Sequence, residues 1–351
     1  MRAREMHEAA GPGENAEAPG PGPGGAQGDD RMTLTEISPF SAEDLEVIGA
    51  GLNRPECVLA ASDGRLYSGD WTLGIAEVAP DGTVAPAIEA DLIGQGFLPN
   101  GIAMTGEGEF LFANLGAAGG VWRVGRRGEA VAVAREVEGR PIPPANFVLI
   151  DGARIWITVS ASSRNHSFFT AEETTGQILL LEDGVVRVMA EGLTWTNELR
   201  ISPDGRHLYV NETFACRTTR YDLGADGSLS NPHRTNYPKG VFPDGLAFDA
   251  EGGLWSACVV SNRLIRLGPD GEWKVIFEDL SPDFDRIAEA HAQGRMTRDM
   301  IVEAKGQRAA NFSSLAFGGS DLKTLYIGGL GLSGIMALKV PVAGYPMAHW
   351  S

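Results

Sequence analysis

Six times along the chain a polar residue opens an apolar run, a tight turn follows, and a second apolar run ends at an aromatic residue. The stretches are Glu56 to Tyr67, Asn100 to Phe112, Asn146 to Trp156, Asn197 to Tyr209, Asp244 to Trp255 and Ser314 to Tyr326. Successive aromatics are 45, 44, 53, 46 and 71 residues apart. A period of this size marks an array of one supersecondary unit. A second strand pair follows the first: Ile75 to Val78 leads into Pro80-Asp81-Gly82, Ile178 to Leu181 into Glu182-Asp183-Gly184, and Leu264 to Leu267 into Pro269-Asp270-Gly271. Asp-Gly between β-branched and aromatic residues is a strong hairpin signal. Two hairpins make a four-stranded antiparallel blade, so the pattern predicts an all-β fold, a six-bladed β-propeller over residues 32–351.

The last unit ends at Gly334 to Leu338 and leaves its outermost strand unfilled. Residues 44–48, which include Leu45-Glu46-Val47-Ile48, have the look of the strands that precede the other openers. The expectation is that they fill the vacancy, so that the two ends of the chain pair and no sheet edge stays open. Residues 282–307 stretch the last spacing to 71 and carry apolar residues at helical intervals, among them Ile287, Ala290, Met300 and Ile301. This helical insertion in the last blade reads either as a decoration on the sheet rim or as a cap over the channel mouth. The run Ser160 to Thr170, with Arg164, His166, Phe168 and Phe169, is a second candidate for a mouth loop.

Composition narrows the partners. Forty-six acidic against 29 basic residues give a net charge of −17, which disfavours a nucleic acid or an anionic membrane surface. Three cysteines without a CxxC pair argue against a disulfide framework or a zinc ribbon and for a reducing, cytoplasmic setting. Residues 1–31 are rich in Gly, Pro, Ala and Glu, lack the apolar core of a secretory signal, and read as a disordered N-terminal tail. A monomer and a homo-oligomer are both compatible with the sequence.

The openers then acquire a chemical meaning. If the units close into a ring, Glu56, Asn100, Asn146, Asn197, Asp244 and Ser314 converge. Glu56, Asn146, Asn197 and Asp244 form an oxygen-only donor set of two carboxylates and two amides. Such a set suits a hard divalent cation, Ca²⁺ first, with Mg²⁺, Mn²⁺ and, less suited, Zn²⁺ as alternatives. Asn100 and Asn146 are candidates for substrate contact, and so is His166 from its loop. Asn-Gly at 100–101 and Asp-Gly at 244–245 also fit plain turns, but neither Gly nor Pro occupies any opener position. Cys57, next to Glu56, should point into the blade as an inert thiol. No GxSxG elbow, HExxH pair or EF-hand loop occurs.

At these residues the chain resembles the SMP-30/gluconolactonase/luciferin-regenerating-enzyme family. The matching stretches are Arg54-Pro55-Glu56, Asn146 before Ile150-Asp151-Gly152, Thr196-Asn197 before Ser202-Pro203-Asp204-Gly205, and Phe242-Pro243-Asp244-Gly245-Leu246-Ala247. The resemblance implies a six-bladed propeller and a divalent metal, often calcium, held by Glu56, Asn197 and Asp244 with Asn146 in or beside the shell. It further implies hydrolysis of lactones, or of organophosphates in some relatives. Sugar-lactone members commonly carry Asn-Asp and a preceding basic residue where this chain has Asn146-Phe147 and Pro143-Pro144-Ala145. A less polar lactone or ester is therefore as good a candidate as a sugar lactone. The expected activity is metal-dependent ester hydrolysis of a small-molecule lactone or ester, with the ion polarising the carbonyl and Asp244 as general base. The alternatives are an organophosphate or ester hydrolase, a lactone-processing isomerase, and a non-catalytic binding propeller with structural calcium.

Overall fold

Six four-stranded antiparallel sheets succeed one another along the chain, five of them running in sequence order from inner to outer strand and the sixth taking its outermost strand from the N-terminal side. The structure, a computed structural model, describes residues 40–350. The segment 1–31, expected to be disordered, lies outside the described residues. The innermost strands are Val58–Ala60, Pro99–Met104, Phe147–Asp151, Thr196–Ile201, Phe242–Phe248 and Phe312–Gly318. Each packs against its two neighbours, and the last packs against the first, so the ring closes as a six-bladed β-propeller.

The repeated aromatics explain why the blades stack. Each sits on the second strand of its blade, and three stack on an aromatic of the next: Tyr67 packs on Phe110, Tyr209 on Phe248 and Trp255 on Phe317, with ring centroids 5.2, 5.4 and 5.8 Å apart. Trp156 and Trp255 are completely buried between sheets. Large flat side chains suit this position because they bury much apolar area while fixing few torsions.

Closure follows the expected route. Glu46–Ile48 runs antiparallel to Ile335–Lys339, with Glu46 opposite Ala337 and Ile48 opposite Ile335. The last blade is thus completed by the chain's N-terminal strand, and its edge is covered.

The Asn-Gly and Asp-Gly pairs are not turns. Both lie inside inner strands, at breaks in the pairing register between Pro99 and Ile102 and between Pro243 and Leu246. The glycines are needed for close approach. A Cβ on Gly101 would fall 2.6 Å from the Phe147 Cα, and one on Gly245 would fall 2.5 Å from the Ser313 oxygen. Neighbouring inner strands touch backbone to backbone at these points.

The segment between the fifth and sixth sheets folds as helices α1 (Phe284–Ala292) and α2 (Arg298–Glu303). Thr297 caps α2 by accepting from the Met300 amide. The buried face of α1, with Ile287, Ala288 and His291, packs against Phe214, Phe242 and Val260. His291 Nε2 lies 3.0 Å from the Phe214 carbonyl oxygen. Since a carbonyl only accepts, this ring nitrogen carries the hydrogen. Arg298, Ile301 and Val302 of α2 line the cavity described below, so the insertion borders one end of the channel. No helix among the described residues is long and apolar enough to cross a membrane.

Candidate metal and substrate site

A cavity of about 360 Å³ opens at the end of the channel that α2 borders. Its floor carries Glu56, Asn146, Asn197 and Asp244, four of the six openers, together with Thr213. They reach it by local irregularities of the backbone. Pairing breaks between Thr196 and Leu199 and between Pro243 and Leu246, so Asn197 and Asp244 each sit in a bulge of an inner strand. A bulge re-aims a side chain that regular alternation would send elsewhere. Arg54 and Trp195, each two residues before an opener, have φ of 58° and 51°. Left-handed backbone at a non-glycine residue costs of order 1–3 kcal/mol and concentrates at functional sites. Both residues also line the cavity.

Glu56 is held on both carboxylate oxygens. Asn100 Nδ2 donates to Oε1 at 2.7 Å, and an Arg54 guanidinium nitrogen donates to Oε2 at 2.6 Å. The same Arg54 nitrogen also donates to Asn100 Oδ1 at 2.9 Å, and Asn100 Nδ2 donates to the Asn146 carbonyl at 3.0 Å. Asn100 thus has both amide hydrogens and its oxygen engaged, and it is buried and outside the cavity lining. As a candidate substrate contact it is set back from the cavity, with its side-chain amide against Glu56.

Asn197 and Asp244 have the opposite character. Asn197 Nδ2 donates to Thr213 Oγ1 at 3.2 Å, which turns Oδ1 the other way. Asn197 Oδ1 and Asp244 Oδ1 are both buried and accept no hydrogen bond from the described residues. Buried acceptors are nearly always paired, so two orphans beside each other's cavity wall call for a ligand. No group of three or more His, Cys, Asp and Glu side chains among the described residues could hold a metal. That is consistent with the donor set, which has only two carboxylates and draws its remaining oxygens from amides. The orphaned acceptors and the oxygen-only chemistry fit a hard cation.

Electrostatics point the same way. Burial, reinforced by the carboxylates of Glu56 and Glu198, holds the Asp244 carboxyl well above the usual range, with Arg54 opposing. Burial also raises Glu56, against the cations Arg54 and Arg164. Glu198, deeper in the channel, is raised by burial and steadied by Arg200 at 2.9 Å and by the Leu246 amide at 3.2 Å. Three carboxylates crowded into one channel want positive charge.

The walls are aromatic and cationic. Trp71, Phe169, Trp195 and Phe214 face the cavity, with Ile301 and Val302 from α2. The run Ser160 to Thr170 contributes Ser160, Ala161, Ser163, Arg164 and Phe169, as a mouth loop should. His166 is outside the lining. It stacks edge-on against Trp195 at 4.8 Å and contacts the Ser163 carbonyl at 2.7 Å, behind the wall. Phe147 does not reach the cavity either; it is buried in the core under the Arg200 guanidinium, 4.7 Å from its ring centroid. Pro144 does line the cavity, so the apolar approach to Asn146 is part of the site and the Phe147 substitution is not. Ser314, the sixth opener, is completely buried beneath the floor, where the Val58 amide donates to its hydroxyl. Cys57 is buried, with its thiol pushed up by burial, as expected of an inert core group.

Sequence reasoning assigned no role to Trp71, Trp195, Thr213, Glu198 or Arg298. Arg54 was visible only as the start of the Arg-Pro-Glu stretch. The others carry no repeated signal: Trp71 follows the second strand of the first blade, Trp195, Glu198 and Thr213 lie at or in the fourth, and Arg298 is in the insertion.

Over 156 aligned residues the chain is 32% identical to 6-deoxy-6-sulfogluconolactonase from Pseudomonas putida, covering 43% of this chain and 44% of that protein. It is 37% identical over 83 residues to L-arabinolactonase from Azospirillum brasilense, 21% of this chain and 26% of the relative. The chain therefore spans less than half the length of either curated relative. The crystal structure of regucalcin, a calcium-binding protein from Agrobacterium tumefaciens, superposes with a TM-score of 0.60 at 16% identity, covering 90% of this chain and 99% of that one, a likeness of fold. Residues 98–278, just over half of the sequence, match the profile of the SMP-30/Gluconolactonase/LRE-like region, and the chain belongs to that family.

Proposed function

We propose that this protein is a divalent-cation-dependent lactonase. The observation that carries the reading is the pair of orphaned buried acceptors, Asn197 Oδ1 and Asp244 Oδ1, in one cavity with Glu56 and Asn146. Two of its relatives are named as lactonases. Glu56, Asn146, Asn197 and Asp244 would hold the cation, Ca²⁺ being the best match to mixed carboxylate and amide donors. When bound, it supplies Lewis-acid polarisation of the ester carbonyl and stabilises the charge that develops there.

The remaining work falls to side chains. Asp244 accepts a proton from the attacking water as the water oxygen bonds to the carbonyl carbon. The ring C–O bond then breaks, and the same proton passes from Asp244 to the departing ring oxygen, giving the hydroxy acid. A carboxyl raised by burial is a stronger base than an exposed one, which favours this role. Arg54 and Asn100 fix the Glu56 carboxylate, and Thr213 fixes the Asn197 amide. The aromatic wall keeps bulk water from the floor and strengthens each of these polar contacts.

The test is a panel of lactones assayed after chelation with EDTA, with Ca²⁺, Mg²⁺, Mn²⁺ and Zn²⁺ added back singly. Ring opening that vanishes on chelation and returns with a cation supports the reading. Full activity in EDTA overturns cation dependence, and a cation-stabilised protein that opens no lactone points to a binding propeller. A second reading, hydrolysis of an aryl ester or phosphotriester by the same residues, is favoured by the four aromatic side chains of the wall. The same panel extended to aryl acetates and phosphotriesters separates the two.

A further inference from the structure

The cavity mouth holds two guanidinium groups that the lactonase reading does not use. Arg164 comes from the loop after the second strand of the third blade, and Arg298 from the first turn of α2. Both line the cavity. Neither forms an ion pair with a carboxylate among the described residues, whereas Arg54 beside them is paired with Glu56. Arg164 is anchored rather than free: one guanidinium nitrogen donates to the Leu115 carbonyl at 2.6 Å, and the group lies 5.9 Å from the Trp71 ring centroid. Arg298 lies 5.2 Å from the Phe169 ring centroid and donates to the Arg164 carbonyl at 3.4 Å.

This arrangement is costly without a ligand. The charges of Arg54 and Arg298, added to burial, disfavour the cationic form of Arg164. In a chain of net charge −17, carboxylates to neutralise these groups were available. The mouth instead presents free N–H donors on two planar forks, the geometry that binds carboxylates and related oxyanions. Trp71, Trp195 and Phe169 line the same cavity as these cations and the acidic floor, with Trp71 near Arg164 and Phe169 near Arg298.

We propose that Arg164 and Arg298 bind an anionic substituent of the substrate, a carboxylate or comparable oxyanion, while its carbonyl lies at the floor beside Asp244 and Asn197. The substrate class is thus a lactone bearing an acidic group, with an apolar or flat body between. The second half of this statement rests on the lactonase reading; the anion site does not.

Two measurements keep these apart. In the first, kcat/KM is compared for a γ-lactone with a side-chain carboxylate, the same lactone as its primary amide, and a sulfonate analogue. The anionic forms should be preferred by ~10-fold or more, as expected for charged hydrogen bonds in a partly buried site. The preference should shrink in 0.5 M NaCl and fall towards unity in the R164Q/R298Q double variant. A larger carboxylate effect assigns a planar group, a larger sulfonate effect a tetrahedral one. Preference for the amide, or a ratio untouched by the double variant, overturns the proposal. In the second, tryptophan fluorescence follows titration of the full chain with benzoate and with benzamide, so that no turnover is needed. Tighter binding of benzoate that is lost in a folded R164Q/R298Q variant supports the anion site even if no lactone is opened. Equal binding of the two probes, or binding of neither, counts against it even if lactones are.

Discussion

Asn100 holds Glu56 from outside the cavity, its side-chain amide donating to Glu56 Oε1 at 2.7 Å. The two residues come from adjacent blades, so the contact fixes one carboxylate of the proposed cation site by a neighbour that lies outside the cavity lining. Partners of this kind set the orientation of a ligand, and losing one typically weakens metal binding ~10–100-fold. Asn100→Ala should therefore lower Ca²⁺ affinity by that order in calorimetric titration while the far-UV spectrum stays native. Unchanged affinity would remove Asn100 from the site altogether.

Asp244 carries the proton in the proposed hydrolysis. Asp244→Asn keeps the shape and one oxygen donor but cannot accept a proton at the active range of pH. Turnover should drop by ~10²–10⁴-fold, the usual worth of a positioned general base. The circular dichroism spectrum and the oligomeric state should match wild type. A variant that opens lactones at the wild-type rate sinks the assignment.

Stability should depend on pH and on cation together. The folded-state pKa values of Asp244 and Glu56 are raised above their unfolded values. The folded, cation-free protein thus holds protons that the unfolded chain has released. Stability from this source is present at low pH and is lost as pH rises through the raised values. A bound cation prefers the ionised carboxylates, so its binding releases protons and tightens with pH. Melting temperatures should fall from pH 5 to 8 in EDTA, and the gain on adding Ca²⁺ should grow over the same range. A calcium increment that is constant across pH would contradict the coupling.

The ring closes through three residue pairs, Glu46–Ala337, Val47–Met336 and Ile48–Ile335. Deleting residues 40–50 leaves the sixth blade with three strands and an exposed edge. The deleted protein should be recovered in inclusion bodies or melt far below the full chain. Wild-type stability in a thermal melt would show that the N-terminal strand is dispensable.

Much of the fold was legible because a propeller writes the same instruction six times. A polar opener, an apolar run and a terminal aromatic mark where each inner hairpin starts and which residue packs on the next blade. The four cation-site candidates were legible for the same reason, since equivalent positions in successive blades meet at the axis. Asn100 shows the limit. It occupies the equivalent position in its blade, yet Arg54, Glu56 and the Asn146 carbonyl engage its oxygen and both its amide hydrogens. The repeat does not say which openers rise into the cavity and which stay beneath it.

By itself, then, the sequence determined the architecture, its N-terminal closure and the oxygen-rich floor, because strand alternation, turn chemistry and repeat period are local properties of the chain. Only the tertiary structure decided the walls and the mouth. Trp71, Arg164, Trp195 and Arg298 come from three blades and an inserted helix, and no interval in the sequence relates them. The bulges that turn Asn197 and Asp244 inward, and the lack of a carboxylate partner for Arg164 and Arg298 among the described residues, arise from how neighbouring blades and the inserted helices meet. Such contacts depend on ring closure between residues far apart in the chain, which local pattern cannot encode.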